Sequence, residues 1–398
     1  MAPHRMGRLI SSAGWCKIIA MLMNENGKQA VRRLESLDAL RGFDMFLLID
    51  AGLVTVLFLA CGASPETMQT LRHAVWEGCN FRDLIAPLFM FMVGASFPLS
   101  LAKSRERGLT DRVVFIKALR RLVLLFACGL LESTSRWPKL GGFPIFGTLQ
   151  LIAMAGFVAS CIYLFVKPRW RLAVTGAILL AMTAVHTCVT CPCAPVGAAA
   201  YSVEGNVIQW LHRVLYLNCT GHDVVRGFAC DASGPFCVPN AAALVLMGMF
   251  AGEAVFRNGM RASWKKVGTL LLWAAGCGLA GCLAGFVLPS IKSIWTSTFV
   301  LITGAFAFLM FALFHAVIDV LGFRKWAFFF RVIGLNSITI YLVWKLVDIR
   351  YTYDLTLGHL RPLFPGLWGN AWASLSFIAL EWGLLYFLYR KKIFIKIG

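Results

Sequence analysis

The chain has 398 residues, of which 59% are hydrophobic and only 14% charged, and its mean hydropathy is +0.73. A soluble domain runs to ~25% charged residues, and the apolar residues here come in long, nearly uncharged runs, so an ordinary soluble enzyme is excluded and lipid is the expected solvent. The net charge of +19 would point a soluble protein toward nucleic acid; here the basic residues sit in short loops between apolar runs, and no nucleic-acid partner is expected.

In chain order, residues 1–30 read as a leader. Leu9 to Met23 is apolar but too short to span, carries Lys17 and is followed by no small-residue cleavage site. Met21 and Met23 offer alternative starts, so the segment is expected to be an over-long start or an interfacial helix. Residues 31–398 then form one transmembrane domain. Its apolar runs fall near 42–61, 84–102, 113–131, 146–166, 172–190, 238–256, 267–288, 297–320, 326–347 and 371–389, each close to the ~20 residues a helix needs to cross the hydrocarbon. The 113–131 run is the weakest, because Lys117, Arg120 and Arg121 occupy its first turns. The expected fold class is all-α, a polytopic transmembrane helical bundle of about ten helices.

The connections carry charge asymmetrically. The side that includes 103–121 and the carboxyl end holds 25 Lys and Arg, against 10 on the other side. Positive loops stay in the cytoplasm, so both termini are expected there. The longest exported stretch, about 191–237, then contains Cys191, Cys193, Cys219, Cys230 and Cys237, with Cys188 just before it. Clustered cysteines in an exported loop suggest disulfides; Cys188, Cys191 and Cys193 beside His186 also have a spacing that zinc could use, although no second cluster accompanies them. No metal is expected.

Soluble-enzyme motifs are missing: no P-loop, HExxH or Gly-x-Ser-x-Gly occurs. Gly276 to Gly281 matches GxGxxG by letter but lies inside an apolar run, where close helix packing is the better reading. Breaks at Pro87, Pro98, Pro289 and Gly334-Leu335-Asn336 hint at interrupted helices around an internal site.

Polar residues at membrane depth carry the remaining information. Asp38 and Arg41 are three apart at the start of the first span and can pair, as a helix-end ion pair would. From His73 to Asp83 the chain places an imidazole, two carboxylates, Asn80, Trp76 and Phe81 directly before the second span. Histidine suits proton or acyl transfer, and Asp83 at the head of an apolar helix needs a partner that His73 could be. The same pattern also fits a polar interfacial loop with a Trp anchor. Gln150, Lys292, Trp295 and Asn336 are dispersed polar or aromatic positions at or near spans, each compatible with ligand contact or with bridging helices. His315 and Asp319, one turn apart, read as a helix-end pair.

At these residues the chain resembles the heparan-alpha-glucosaminide N-acetyltransferase family. The resemblance runs through Leu37-Asp38-Ala39-Leu40-Arg41-Gly42, His73-Ala74-Val75-Trp76-Glu77-Gly78 and Asp83-Leu84-Ile85-Ala86-Pro87. It continues through Gly147-Thr148-Leu149-Gln150, Trp210 to Arg213, Asp231 to Gly234, Leu246 to Gly252, Lys292 to Val300, Gly334 to Ile338 and Tyr389 to Phe394, in shared order. It implies a transmembrane acyltransferase that takes acetyl from cytoplasmic acetyl-CoA to an amino sugar or glycan on the far side. The family's active-site histidine falls on His73 and its companion aspartate on Asp83. Asp38, Arg41, Trp76, Asn80, Gln150, Lys292, Trp295 and Asn336 are candidate contacts to substrate or acetyl-CoA, and Lys117, Arg120 and Arg121 are positioned to hold the donor's phosphates.

The sequence also departs from the family. Leu151 stands where Arg usually follows the Gln, His212 where an aspartate precedes Arg213, and Trp344 where heparan-acting members carry a histidine. The acceptor is therefore left open. O-acetylation of a cell-envelope glycan and small-molecule transport are the alternatives. A bacterial inner membrane, with His73 on the periplasmic side, is the expected location, and a homodimer is one option for assembly.

Overall fold

The computed structural model describes residues 34–49, 51–140, 145–192, 194–220, 234–256, 262–346 and 349–394. The leader, Cys193, Cys230 and Asp231 lie outside these residues. Every described element of regular structure is helical, apart from two isolated bridges, Glu77 with Ile291 and Thr190 with Asn206.

The helices follow the apolar runs. They are α1 (Glu35–Ile49), α2 (Ala51–Ala60), α3 (Pro65–Thr70), α4 (Ile85–Glu106), α5 (Asp111–Leu140), α6 (Thr148–Phe165), α7 (Pro168–Cys188) and α8 (Val207–Thr220). After them come α9 (Val238–Phe256), α10 (Trp264–Gly285), α11 (Ser297–Phe314), α12 (Ala327–Leu335), α13 (Ser337–Leu346), α14 (Ile349–Thr356) and α15 (Leu367–Arg390). Among the described residues seven helices are long and apolar enough to cross a membrane, and two bent pairs bring the number to nine. The weak 113–131 run lies within α5, which is 30 residues long.

Between α12 and α13 the chain turns by 69° at Asn336, whose side-chain amide donates to the Ile393 carbonyl (3.2 Å). The expected break at Gly334-Leu335-Asn336 is therefore real, and the Asn336 side chain ties it to the carboxyl-terminal segment. α1 and α2 form the other bent pair, at 77°.

Small residues set the centre of the bundle. Over its apolar stretch α9 is 72% buried and the span containing α4 is 67% buried, against 17% for α7 and α10, so α4 and α9 are the inner helices. They touch backbone to backbone. A Cβ on Gly94 would strike the Val245 carbonyl, one on Gly248 the Phe91 carbonyl, and one on Gly252 the Ala95 carbonyl. Lipid gives helices no hydrophobic reason to associate, so this close approach and its dispersion contacts hold the pair. α1 and α12 use the same device, Gly42 lying on the Phe330 carbonyl and Gly334 on that of Asp38. α10 instead presents Leu271, Leu272, Leu279 and Leu283 outward, as a lipid-facing helix must.

Three connections meet at one end of the bundle. Trp76 Nε1 donates to the Tyr201 carbonyl (2.9 Å), and the Gly78 amide donates to the Ser290 carbonyl (2.8 Å) beside the Glu77–Ile291 bridge. The segment before α4 is thus tied to the connections α7–α8 and α10–α11. Ion pairs of Glu35 with Arg331 (3.1 Å) and Arg324 (3.9 Å) fasten the start of α1 to α12 and to the connection before it. His315 and Asp319 pair at 2.8 Å, as their spacing implies. His212 packs against Phe236 (ring centroids 5.5 Å) with both ring nitrogens buried and unpartnered among the described residues.

Two predictions follow from this packing. Gly248→Ala is expected to destabilise by about 1–3 kcal/mol through overpacking, whereas Gly276→Ala, with open space at its Cβ, is expected to be neutral or to gain up to ~1 kcal/mol in helix propensity; thermal unfolding in detergent reads the opposite signs. Burial holds the His212 imidazole down from its usual 6.5 to about 4, so the unfolded chain binds a proton that the folded chain refuses. Stability is then full above about pH 6.5 and falls as pH drops toward 4. The slope of melting temperature against pH in that window should be shallower for His212→Phe.

Candidate active site

The site forms where the inner helix α4 begins. A 3-10 turn, Phe81–Leu84, precedes it and directs the fully buried Asp83 side chain back at the chain that has just entered. Asp83 Oδ2 accepts from the backbone amides of Ala74 (3.0 Å) and Asn80 (3.1 Å). Its Oδ1 lies 2.6 Å from His73 Nδ1 and 3.0 Å from Lys292 Nζ. Lys292 Nζ is also 3.0 Å from His73 Nδ1, so the three groups form one compact triangle.

Proton placement in the triangle is constrained. Ionised Asp83 only accepts, and the Lys292 ammonium only donates. An Nδ1–H donated to Asp83 leaves Nε2 of His73 as the ring's lone-pair nitrogen. His73 is about half exposed while Asp83 is fully buried, so the carboxylate is the fixed element and the imidazole the accessible one. Four donors for one carboxylate, one of them cationic, are what a charge at this depth requires.

Lys292 reaches the pair from an unusual loop. Trp295, at φ +50°, adopts the left-handed conformation that a bulky residue takes only when its surroundings impose it. Asn240 of α9 donates to its carbonyl, and the Ile291 amide donates to Thr296 Oγ1 (3.0 Å). Trp295 itself is buried against Phe299 (5.6 Å) and lies outside the wall of the cavity described next.

His73 and Lys292 border a cavity of about 260 Å³. α1 contributes Asp44 to its wall, α4 Phe89, α6 Thr148 and Ile152, and α13 Tyr341, Trp344 and Lys345. The α13 residues follow the break at Asn336, so the interrupted helix does border an internal site. Lys345 sits over the Trp344 ring (4.5 Å) and 3.8 Å from Glu132, to which Tyr341 also donates (3.1 Å).

The sequence-derived candidates separate into groups. His73, Asp83 and Lys292 come together. Asn80 joins them through its backbone amide, and its side chain reaches the Gln69 carbonyl only at 3.5 Å. Trp76 anchors the loop through Tyr201. Gln150 is buried beside Gly129 and donates to the Ile145 carbonyl (3.1 Å). Asn336 sits at the helix break. Asp38 and Arg41 pair at 3.5 Å, and Arg41 also reaches Ser96 Oγ (3.4 Å). Arg121 is close enough to Arg41 for their charges to interact, while Lys117 and Arg120 are exposed. Ser96 is 13 residues beyond Asp83, about 20 Å of rise along the helix, so this basic group and the His73 triangle occupy different depths. Sequence reasoning passed over Asp44, Glu132 and Lys345 as site residues; the available signal was an ionisable side chain inside or at the end of an apolar run. Among the described residues no group of three His, Cys, Asp or Glu side chains converges on a metal position.

Residues 33–202, which include His73, Asp83 and the α6 wall of the cavity, match the family described as heparan-alpha-glucosaminide N-acetyltransferase, catalytic. Heparan-alpha-glucosaminide N-acetyltransferase of Homo sapiens is 24% identical over 432 aligned positions, which cover 92% of this chain and 60% of the relative. Its Mus musculus counterpart is 23% identical over 430 positions, covering 94% and 62%. The chain thus spans about three fifths of the length of these curated relatives. The catalytic-region match, the relatives aligned along most of the chain and the all-helical membrane architecture agree: the chain is similar to heparan-alpha-glucosaminide N-acetyltransferases along most of its length.

Proposed function

We propose that this protein is an acetyl-CoA-dependent membrane N-acetyltransferase that moves acetyl from the cytoplasmic side to an amino sugar on the opposite side, through His73. The observation that carries the reading is an accessible imidazole, oriented by a buried carboxylate, on the wall of a cavity inside a membrane bundle. The relatives, heparan-alpha-glucosaminide N-acetyltransferases, supply the reaction class. The charge distribution of the loops supplies the sidedness, with both termini in the cytoplasm and His73 outside.

In this reading the donor's phosphates are held at the basic end by Arg41 and Arg121, with Lys117 and Arg120 nearby as further cations. The acyl arm extends along α4 to the cavity. His73 Nε2 either takes a proton from the attacking amine or accepts the acetyl group itself. Asp83 fixes the tautomer and stabilises the imidazolium as it forms, as a carboxylate does beside other catalytic imidazoles. Lys292 compensates the Asp83 charge, so that the buried carboxylate is never a lone anion. On transfer the C–S bond breaks, the new C–N bond forms and the thiolate takes up a proton. CoA release in a burst without acceptor would mark the covalent route.

Cys79 is the rival acyl acceptor by chemistry alone. Burial, reinforced by the Asp83 charge and only partly offset by Lys292, pushes its thiol up to about 12, so it stays protonated at neutral pH.

The test is transfer of label from radioactive acetyl-CoA to glucosamine by purified protein in detergent. His73→Ala is expected to lose a factor of roughly 10²–10⁴ in rate, with Asp83→Asn also strongly impaired. Equal transfer by wild type and His73→Ala would overturn the assignment; label arriving on a hydroxyl oxygen would replace N- with O-acetylation. Cys79→Ser is expected to keep wild-type transfer, and iodoacetamide at pH 8 should leave Cys79 unmodified by mass spectrometry.

A further inference from the structure

Asp44 has no role in the mechanism above, yet it is the most exceptional carboxylate at the cavity. It lies on α1, inside the first apolar run, and is fully buried. Neither of its oxygens has a hydrogen-bond partner among the described residues. It borders the same cavity as His73. A buried carboxylate without a donor is costly in a low-dielectric site, and at membrane depth such a group marks function by default.

The other carboxylates around the cavity are served. Asp83 has four donors. Glu132 has Tyr341 and Lys345. The two lysines of the cavity wall, Lys292 and Lys345, thus each stand against a carboxylate other than Asp44, and the wall's third cation, the exposed Arg82, makes no hydrogen bond to Asp44. What the cavity offers a ligand at Asp44 is an acceptor that a cation would satisfy.

We infer that Asp44 is the receptor for the cationic amino group of the acceptor, so that this cavity selects an ammonium-bearing sugar over its neutral hydroxyl counterpart. The inference rests on the transfer reading above and names the group that its acceptor must carry. The proton balance of amide formation gives Asp44 work to do. An ammonium nitrogen must lose two protons to become an amide. Asp44 takes the first, leaving a neutral amine with a lone pair. That pair attacks the acetyl carbon, the C–N bond forms and the C–S bond breaks. His73 Nε2 takes the second proton and passes it to the departing thiolate, while Asp44 returns the first to solvent. The sum is ammonium plus thioester giving amide, thiol and one proton. A hydroxyl acceptor has one proton to lose and no charge to place against Asp44.

The experiment measures equilibrium binding of glucosamine and of glucose to the purified full chain, wild type and Asp44→Asn, beside the label-transfer assay. Wild type should bind glucosamine about tenfold or more tighter than glucose, the worth of one charge-assisted hydrogen bond. Asp44→Asn should lose that preference and raise KM for glucosamine about tenfold, with KM for acetyl-CoA unchanged. The wild-type preference requires no variant to fold. Equal binding of the two sugars by wild type, or a preference retained in Asp44→Asn, overturns the assignment even if transfer proceeds. An Asp44-dependent preference without transfer keeps the ammonium site and overturns the transfer reading instead.

Discussion

The rest of the site depends on how one buried carboxylate is kept charged. Asp83 is fully buried at the head of an apolar span, a costly place for an ion, and four donors from three places in the chain converge on it. Two come from the backbone of the loop before α4, one from the His73 ring, and one from Lys292, more than 200 residues later. Each donor is positioned by something costly elsewhere. The loop is tied through Trp76 to Tyr201 and through Gly78 to Ser290, and Lys292 rides on a segment containing a left-handed tryptophan. The accessible imidazole is the product of this convergence: His73 faces the cavity because its other nitrogen is engaged behind it.

Much of the architecture was legible because lipid simplifies the code. A run of about twenty apolar residues has few choices other than a helix, and the helices lie where the runs do. The segment His73 to Asp83 was legible for a related reason: polar residues beside a span are expensive and therefore informative. The pairing of His73 with Asp83 could be anticipated from proximity in the chain. The third member could not, because nothing local relates Lys292 to residue 83; only the Glu77–Ile291 bridge and the loop geometry bring it there. Trp295 and Asn336 drew notice as polar or aromatic positions near spans, and the structure gives them work in holding loops and breaks.

The interrupted helix contributes in a different way. The 69° turn at Asn336 redirects α13 so that Tyr341, Trp344 and Lys345 form one wall of the cavity. Trp344 stands where heparan-acting relatives are expected to carry a histidine, and here it is covered by a lysine side chain. The Trp344 ring and the lysine over it both form part of that wall. The α13 residues thus border the same cavity as His73 and Lys292.

The glycine contacts between α4 and α9 bear on how a reaction can be spread over the depth of a membrane. With backbone resting on backbone at Gly94, Gly248 and Gly252, the two inner helices have no side-chain layer on which to slide. The helix that carries Asp83 at one end and Ser96 some 20 Å further on behaves as a strut. Its ends keep a constant separation, and any group handed from one depth to the other must cover that span by its own reach. A long, flexible carrier is the kind of molecule that such a rigid frame can use.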